Sequence, residues 1–314
     1  MDPLIIIVGP TAVGKTAMGV ALAQAIGGEI ISGDSVQVYR KLDIGSAKPT
    51  LEEQQGIPHH LLDYLNPEEP FTVAQFQTLA NDYIQDIRKR GRVPIVVGGT
   101  GLYIRSLIDP FDFAESGSEE IRAYWFSFLD KLGKEALHCA LQERDPQSAQ
   151  RLHPNDTVRI IRALEVCELS GKPFSEIRGK HDTTYSSLDS SILYIGLTAP
   201  REVIYERINR RCEQMLSSGL LDETLNLLSD GYSPHLKPLQ SIGYRHALWH
   251  LFGKVTFPEM LRLFQRDTRH FAKRQLTWFR RDPRITWYDT YNENMTKILE
   301  SLVNTCSGIQ SRVE

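Results

Sequence analysis

Eight consecutive residues near the start of the chain have the spacing of a phosphate-binding loop. They fit the pattern GxxxxGK[ST] at every fixed position, and they are Gly9, Pro10, Thr11, Ala12, Val13, Gly14, Lys15 and Thr16. The glycines let the backbone curl so that successive N–H groups point at phosphate oxygens, and a following helix N-terminus adds positive potential. The lysine supplies a point charge, and the threonine hydroxyl can bind Mg²⁺. The alternative is a tight strand–helix turn with an exposed lysine.

A carboxylate that could serve this loop, Asp34, follows the next predicted strand. Most proteins with such a loop are kinases or NTPases. They hold their metal with an aspartate at the tip of a later strand. Here the later strand ends in Val97–Thr100, without a carboxylate. Because the carboxyl ends of parallel strands face the ligand crevice, we expect Asp34 near the phosphates. There it can bind metal through water or act as a base on a nucleophile; the alternative is a turn or helix-capping residue.

Charge is unevenly distributed along the chain. The sequence has 36 basic and 39 acidic residues, a net charge of −3, yet residues 262–284 contain eight basic and two acidic residues. At about 100° per residue, five of these basic side chains fall within about 60° of arc, opposite four apolar ones. The basic stripe is Arg262, Arg266, Arg269, Lys273 and Arg280, and the apolar positions are Met260, Phe264, Phe271 and Trp278. An almost single-signed stripe favours a nucleic-acid backbone over a solvated, internally paired face.

Strand-like and helical segments alternate in the first third of the chain. Strands are predicted at Leu4–Val8, Glu29–Ser32, Val93–Val97 and Ile192–Leu197, and helices at Lys15–Ile26, Asn81–Lys89, Glu119–Glu143, Pro154–Ser170 and Pro200–Ser217. This order predicts an α/β fold, a P-loop NTPase-like parallel sheet flanked by helices, with an all-helical insertion. The predicted organisation is a first part of the α/β core over 1–113, the helical insertion over 114–188, and a return to the core with the basic helix over 189–314.

Length and composition exclude several classes of protein. The 314 residues are 41% hydrophobic and 24% charged, which excludes a disordered chain, a collagen and a coiled coil. The longest apolar runs are far shorter than the roughly 20 residues of a membrane helix, and the start, Met1–Asp2–Pro3, lacks the basic region of a secretory signal. Four scattered cysteines without a CxxC pair indicate neither a zinc site nor a disulfide framework. We therefore expect a cytoplasmic protein with no membrane partner.

Seven stretches in order along the chain share one further property. They are Gly9–Thr16, Ser32–Arg40, Leu42–Pro49, Val97–Tyr103, His153–Asp156, Ser241–Arg245 and Lys273–Arg280. Together they resemble the bacterial type of the tRNA dimethylallyltransferase (tRNA isopentenyltransferase) family. The departures are small, since Ser46 stands where threonine is common and Val36 where methionine is common. Neither departure changes a chemical role.

The resemblance implies a reaction and a site. The dimethylallyl group of dimethylallyl diphosphate passes to the exocyclic N6 of the adenine just 3′ of the anticodon, and the loop holds diphosphate. Asp34 orients N6 and takes its proton, Thr100 helps to hold this arrangement, Arg211 contacts the diphosphate, and Mg²⁺ lies at the Thr16 hydroxyl. The implied contacts with the tRNA anticodon stem-loop are Asp34, Ser35, Val36, Gln37, Thr100, Arg122, Val158, Arg159, Ile160, Ile161, Arg162, Gly243, Tyr244, Arg245, Lys273 and Arg280. We expect a monomer.

Two other functions stay open on the residues alone: a P-loop small-molecule or nucleotide kinase with an inserted lid, and a non-catalytic RNA-binding module. Asp34 and the basic stripe favour prenyl transfer over the kinase, and the intact Lys15–Thr16 pair disfavours the binding module. Arg159 and Arg162 share a helix face, where they contact tRNA or pair with Glu165 and Glu168. Because a stacked base presents N6 poorly, we expect the adenine to flip into a channel between the sheet domain and the insertion.

Overall fold

A six-stranded, fully parallel sheet forms the centre of the fold. The computed structural model describes residues 3–109, 117–177, 188–189 and 191–310. The strands are β1 (Leu4–Val8), β2 (Gly28–Gly33), β3 (His59–His60), β4 (Val93–Gly98), β5 (Ile192–Thr198) and β6 (Thr286–Asp289). Their order across the sheet is β3-β2-β4-β1-β5-β6, and every pairing is parallel. The predicted parallel sheet flanked by helices is confirmed, while β3 and β6 are strands that the sequence did not predict.

Thirteen helices are found in the described part of the chain, together with a 3₁₀ turn at Lys237–Gln240. They are α1 (Lys15–Ile26), α2 (Leu51–Gln54), α3 (Val73–Lys89), α4 (Gly101–Ile108), α5 (Glu119–Arg144), α6 (Pro146–Arg151), α7 (Thr157–Ser170), α8 (Phe174–Ile177), α9 (Arg201–Ser217), α10 (Leu220–Ser229), α11 (Tyr244–Leu251), α12 (Phe257–Phe279) and α13 (Met295–Gln310). Among the helices that the sequence predicted, α3 departs most, since it begins eight residues before Asn81. Thr72 and Gln75 form a capping box there, and it satisfies the first free N–H groups of the helix.

The side chains of β1 pack against both faces of the sheet. Ile6 and Val8 belong to one hydrophobic cluster, and Ile5 and Ile7 belong to the other. All four are completely buried, because successive side chains of a central strand point to opposite faces and both faces are covered by helices. The end of β1 is therefore a rigid base for the loop that follows it.

The chain divides into two compact units, Met1–Ile108 with Ser187–Glu314, and Asp109–Ser186. The first contains the sheet. In the second, Trp125, Leu141 and Leu164 pack in a separate helical core. Gly133 interrupts α5 with a φ of 84°, a conformation that glycine adopts without strain. The predicted boundary between residues 113 and 114 lies outside the described residues. The second predicted boundary lies between residues 188 and 189, and residue 187 before it is also outside the described residues.

Among the described residues, no helix is both long enough and apolar enough to cross a bilayer.

Candidate active site

The predicted phosphate loop connects β1 to α1. Gly9 has a φ of 146°, and a Cβ at this position would lie 2.4 Å from the Leu197 carbonyl oxygen, so only glycine fits beside β5. Gly14 has a φ of 101° and precedes the first residue of α1. The unpaired N–H groups of the first helical turn and the positive end of the helix dipole thus adjoin the loop. This is the geometry of an anion-binding site.

A cavity of about 460 Å³ opens beside this loop, within the unit that contains the sheet. The phosphate-loop residues that line it are Thr11, Ala12, Gly14, Lys15 and Thr16. Asp34 and Gln37 line it after β2, and Arg207, Arg210 and Arg211 line it from α9. The structure therefore brings the predicted loop, Asp34 and Arg211 to one cavity, as the sequence-based hypothesis requires.

Lys15 is a strongly perturbed cation of the cavity. Burial, followed by repulsion from Arg211, lowers the pKa of Lys15 to about 7, although the Asp34 carboxylate acts in the opposite direction. Its Nζ donates a hydrogen bond to the Pro10 carbonyl oxygen at 2.8 Å. Burial also lowers the pKa of Arg211 from its ordinary value. Both groups are cations without enough local negative charge, so a bound polyanion would stabilise their charged forms.

Two arginines beside Arg211 complete the positive wall of the cavity. Arg207 and Arg211 are four residues apart on α9 and Arg210 is three from Arg207, so all three lie on neighbouring positions of the helix surface. Arg210 also pairs with Glu206, whose oxygen lies 3.2 Å away. The sequence assigned a role only to Arg211, although the helical spacing is a signal that could have added the other two.

Asp34 is held by its own turn. Its Oδ1 accepts hydrogen bonds from the Val36 N–H at 2.8 Å and the Gln37 N–H at 3.2 Å. The predicted alternative, a turn residue, therefore describes one oxygen of the carboxylate. Within the described residues, no hydrogen bond to Oδ2 is formed. One oxygen thus fixes the side chain at the cavity wall, and the other stays available to a ligand.

Thr100 follows β4, the strand next to β2. Its N–H donates to the Gly33 carbonyl oxygen at 3.3 Å, which ties it to the residue before Asp34. A Cβ at Gly98 would lie 2.3 Å from that same oxygen. The ends of β2 and β4 can therefore approach this closely because a glycine stands at the end of β4. The two predicted catalytic residues, Asp34 and Thr100, therefore leave neighbouring strands at the same edge of the sheet.

Glu223 is a structural anchor that the sequence did not reveal. Its carboxylate accepts hydrogen bonds from three consecutive backbone N–H groups, those of Asp43, Ile44 and Gly45, at 2.8 to 3.1 Å. The Tyr244 hydroxyl donates to the same carboxylate at 2.5 Å. Burial and the charge of Glu223 raise the pKa of Tyr244, which keeps this hydroxyl a donor.

The loop held by Glu223 continues to the cavity. Gln37 donates through Nε2 to the carbonyl oxygens of Ser46 and Ala47, at 3.3 and 3.0 Å. Its Oε1 accepts from the Ser32 hydroxyl at 3.2 Å. Since Gln37 also donates its backbone N–H to Asp34, the anchored loop and the carboxylate are joined through one glutamine.

Three predicted tRNA contacts need correction. Tyr244, Ile160 and Ile161 are at most 2% exposed, so their side chains pack the core, and Tyr244 is engaged by Glu223. Of the remaining members near Asp34, Ser35 and Val36 are half-buried. Gly243 is buried with a φ of 98°, and Arg245 donates to Asp267 at 2.7 Å. Arg245 is therefore engaged within the protein by Asp267.

In the second unit, a fully buried carboxylate holds two of the predicted tRNA-contacting arginines. Glu165 accepts from Arg122 at 2.9 Å and from Arg162 at 2.7 Å. The alternative of ion pairing is thus correct for Arg162. Arg159 pairs with Asp156 at 3.1 Å but is largely exposed, and Val158 is 68% exposed. The free surface of this segment is therefore at Val158 and Arg159.

The basic stripe is less uniform than predicted. Arg262 pairs with Glu259 at 2.6 Å and Arg266 with Asp267 at 2.8 Å, so the prediction of a stripe free of internal pairing is wrong at this end of α12. The two acids lie on flanking positions of the same helix. Arg269 is also engaged, since it donates to the Asn209 side chain at 2.6 Å.

Toward the end of α12 the predicted stripe differs. Lys273 and Arg280 are exposed, and they form no ion pair with any described residue. Arg280 directly follows the last helical residue, Phe279. The positive charge available to a partner is therefore concentrated at this end, which is also where Gln275 reaches the cavity.

The donor set around Thr16 suits a hard cation. The Thr16 hydroxyl and the Asp34 carboxylate line the same cavity, and both offer oxygen ligands. Among the described residues, no cluster of three or more histidine, cysteine, aspartate or glutamate side chains could hold a metal on its own. Magnesium ions bind in this manner, through few protein oxygens and the phosphates of a ligand.

A family profile described as IPP transferase matches residues 37–282, and one described as isopentenyl transferase matches residues 3–69. A tRNA dimethylallyltransferase of Desulfitobacterium hafniense is 77% identical over 314 residues, which cover all of both chains. The chain belongs to the tRNA dimethylallyltransferase family. A homologue of the same description from Carboxydothermus hydrogenoformans is 49% identical over 99% of each chain.

Solved structures of the family agree with the fold. A full-length tRNA isopentenylpyrophosphate transferase of Bacillus halodurans has a TM-score of 0.73 and 42% identity, covering 99% of this chain and 98% of that one. A eukaryotic dimethylallyltransferase, captured acting on tRNA, has a TM-score of 0.80 and 28% identity, covering 97% of this chain and 79% of that one. The predicted P-loop NTPase-like fold is confirmed.

Proposed function

We propose that this protein transfers the dimethylallyl group of dimethylallyl diphosphate to N6 of the adenine 3′ of the anticodon in tRNA. One observation carries the proposal: the phosphate loop, Asp34 and three arginines of α9 line a single cavity. A kinase needs an acid at the tip of the later strand to hold its metal, and β4 ends instead in Gly98, followed by Gly99 and Thr100.

The positive wall stabilises the leaving group. In the transfer, the allylic C–O bond breaks, positive charge spreads over the allyl unit, and negative charge grows on the diphosphate. Lys15, Arg211 and the phosphate loop line one cavity, so their positive groups stabilise this charge where it develops. Mg²⁺ held by the Thr16 hydroxyl and the diphosphate would supply further charge neutralisation when bound.

Asp34 acts on the acceptor. Adenine N6 is a weak nucleophile because its lone pair is conjugated with the ring. A carboxylate that accepts a hydrogen bond from N6–H orients the lone pair toward the allyl carbon and takes the proton as the new C–N bond forms. The turn that holds Oδ1 leaves Oδ2 for this task. Thr100, tied to Gly33 at the neighbouring strand end, helps to hold the acceptor.

The exposed cations hold the tRNA. Lys273 and Arg280, which are exposed on the sheet-containing unit, bind phosphates of the anticodon stem-loop. The exposed Arg159 of the helical unit also binds tRNA phosphate. The adenine leaves its stack so that N6 reaches Asp34. The protein acts as a monomer, which light scattering at assay concentration would check.

Mass spectrometry of tRNA nucleosides tests the proposal. Unmodified tRNA is incubated with the protein, dimethylallyl diphosphate and Mg²⁺ in the absence of ATP, and we expect dimethylallyl adenosine at the position 3′ of the anticodon. Asp34→Ala is the matched control, since it leaves the phosphate loop intact. Strict dependence on ATP, with a phosphorylated product, would refute prenyl transfer and support the kinase.

A further inference from the structure

Gln275 crosses from α12 into the cavity and bonds to two separate backbone segments. The residue is 6% exposed. Its Oε1 accepts a hydrogen bond from the Thr11 N–H at 2.8 Å, and its Nε2 donates to the Gly99 carbonyl oxygen at 3.0 Å. These partners are far from it in the sequence, and both belong to the site: Thr11 lies in the phosphate loop, and Gly99 lies between β4 and Thr100.

The two bonds use the oxygen and the nitrogen of one carboxamide. An amide side chain offers an acceptor and a donor about 2 Å apart, so one residue can satisfy an N–H on one segment and a C=O on another. Leucine offers neither group. Glutamate keeps the acceptor for Thr11 but places a second acceptor against the Gly99 oxygen, and two facing acceptors repel each other.

The backbone at Gly99 is shaped around this side chain. A Cβ at Gly99 would lie 2.2 Å from the Gln275 Nε2, a separation that real atoms do not reach. The φ of Gly99 is not positive, so backbone conformation does not account for a glycine at this position. A side chain at position 99 would therefore displace the Gln275 carboxamide from its bond to the Gly99 oxygen.

We propose that Gln275 is a positioning residue, which fixes the separation between the loop that holds the diphosphate and the strand end that carries Thr100 beside Asp34. This role rests on the proposed function. The allyl donor and the adenine acceptor are held by the two segments that Gln275 joins. In transfer between two bound reactants, a misplacement of about 1 Å costs on the order of 10²-fold in rate.

The kinetic signature separates positioning from binding. Each substrate still finds its own contacts when Gln275 is replaced, so we expect KM for dimethylallyl diphosphate and for tRNA to stay within about 3-fold. The rate of a single turnover at saturating substrates should fall by about 10 to 100-fold in Gln275→Leu. Gln275→Glu should fall less, since it keeps the bond to Thr11.

Gln265→Leu is the matched control. Gln265 lies on the same helix ten residues earlier and donates to the Asn209 carbonyl oxygen and to Glu213, away from the cavity. The Gln265→Leu variant makes the same chemical change in α12, but Gln265 bonds to neither the phosphate loop nor the end of β4. We expect its single-turnover rate to equal that of the wild type within about 2-fold.

Hydrogen exchange provides a second readout that needs no turnover. The Thr11 amide should be protected from exchange in the wild type by its bond to Gln275. A variant that loses this bond should exchange the Thr11 amide faster. Because the glutamate variant keeps the acceptor, we expect faster exchange in the leucine variant alone. Amides in the core of α1 report whether each variant is folded.

The outcomes are distinct. If the wild type makes no prenylated tRNA, the proposed function fails. If the wild type is active and Gln275→Leu matches Gln265→Leu in single-turnover rate, the positioning role is overturned. It is also overturned if the whole loss appears as a raised KM for the donor, or if Thr11 exchange is unchanged in a folded leucine variant.

Discussion

Replacing Glu223 with glutamine should loosen the loop of residues 43–47, which Gln37 also contacts. The carboxylate of Glu223 accepts four hydrogen bonds, three from consecutive backbone N–H groups and one from the Tyr244 hydroxyl. In Glu223→Gln, the remaining oxygen can serve the N–H groups of Asp43 and Ile44. The new NH₂ group then faces the Gly45 N–H, which is a donor against a donor.

The size of the effect follows from these contacts. A donor left without an acceptor costs about 1 to 3 kcal/mol, and hydrogen bonds to a charged acceptor lose roughly half their strength when the charge is removed. The free energy of unfolding should therefore fall by about 2 to 4 kcal/mol. Tyr244→Phe removes one donor and leaves the other three, so its loss should be about 1 to 2 kcal/mol.

Urea denaturation measures the change, and Asp222→Asn is the control. Asp222 is the exposed neighbour of Glu223 on α10, so this variant removes the same charge without touching the loop, and it should stay within about 0.5 kcal/mol of the wild type. The double variant of Glu223 and Tyr244 should lose less than the sum of the single losses, since both act on one carboxylate. Equal unfolding free energies for Glu223→Gln and Asp222→Asn would refute the anchoring role.

Three further predictions concern the cavity and the exposed cations. Asp34→Ala should lower the single-turnover rate by about 10²-fold or more with little change in tRNA affinity, and a near-normal rate would contradict its role as base. Because Lys15 has a pKa of about 7 without ligand and an anion raises it, diphosphate binding takes up a proton above pH 7. Affinity measured by calorimetry should then fall by up to about tenfold per pH unit from pH 7 to 9, relative to Lys15→Arg, and parallel profiles for the two proteins would exclude this titration. Lys273→Gln with Arg280→Gln should raise KM for tRNA and flatten its salt dependence at unchanged kcat, whereas Arg262→Gln should not, because Arg262 is already paired with Glu259. A salt slope equal to that of the wild type would assign Lys273 and Arg280 to an ordinary solvated surface.

Local patterns were sufficient to predict the first half of the site. The strand Leu4–Val8 and the helix Lys15–Ile26 have the predicted bounds, because a run of β-branched residues and a glycine at each end of the helix are signals within the segment itself. The position of Asp34 follows from a general property of parallel sheets, whose strand ends share one edge.

The rest depends on contacts between distant residues. Gln275 bonds to Thr11 across 264 positions, and Glu223 bonds to the Asp43 N–H across 180, so no window of sequence contains both partners. The uniform basic stripe was wrong for a related reason. A helical projection shows which residues share a direction, but it does not show that Glu259 and Asp267 reach the arginines from flanking positions.

The place of β1 in the sheet has a consequence for synthesis of the chain. This strand is made first, yet Ile5 pairs with Ile95 on one side and Leu4 pairs with Ile192 on the other. At about 5 to 20 residues per second, the second partner is made roughly 10 to 40 s after the first strand. The five apolar residues of β1 therefore emerge from the ribosome long before the rest of the sheet can cover them. The helical unit, whose contacts are local, can fold in the meantime. The phosphate loop is therefore made before β4 and β5, yet its surroundings are completed only after both strands exist.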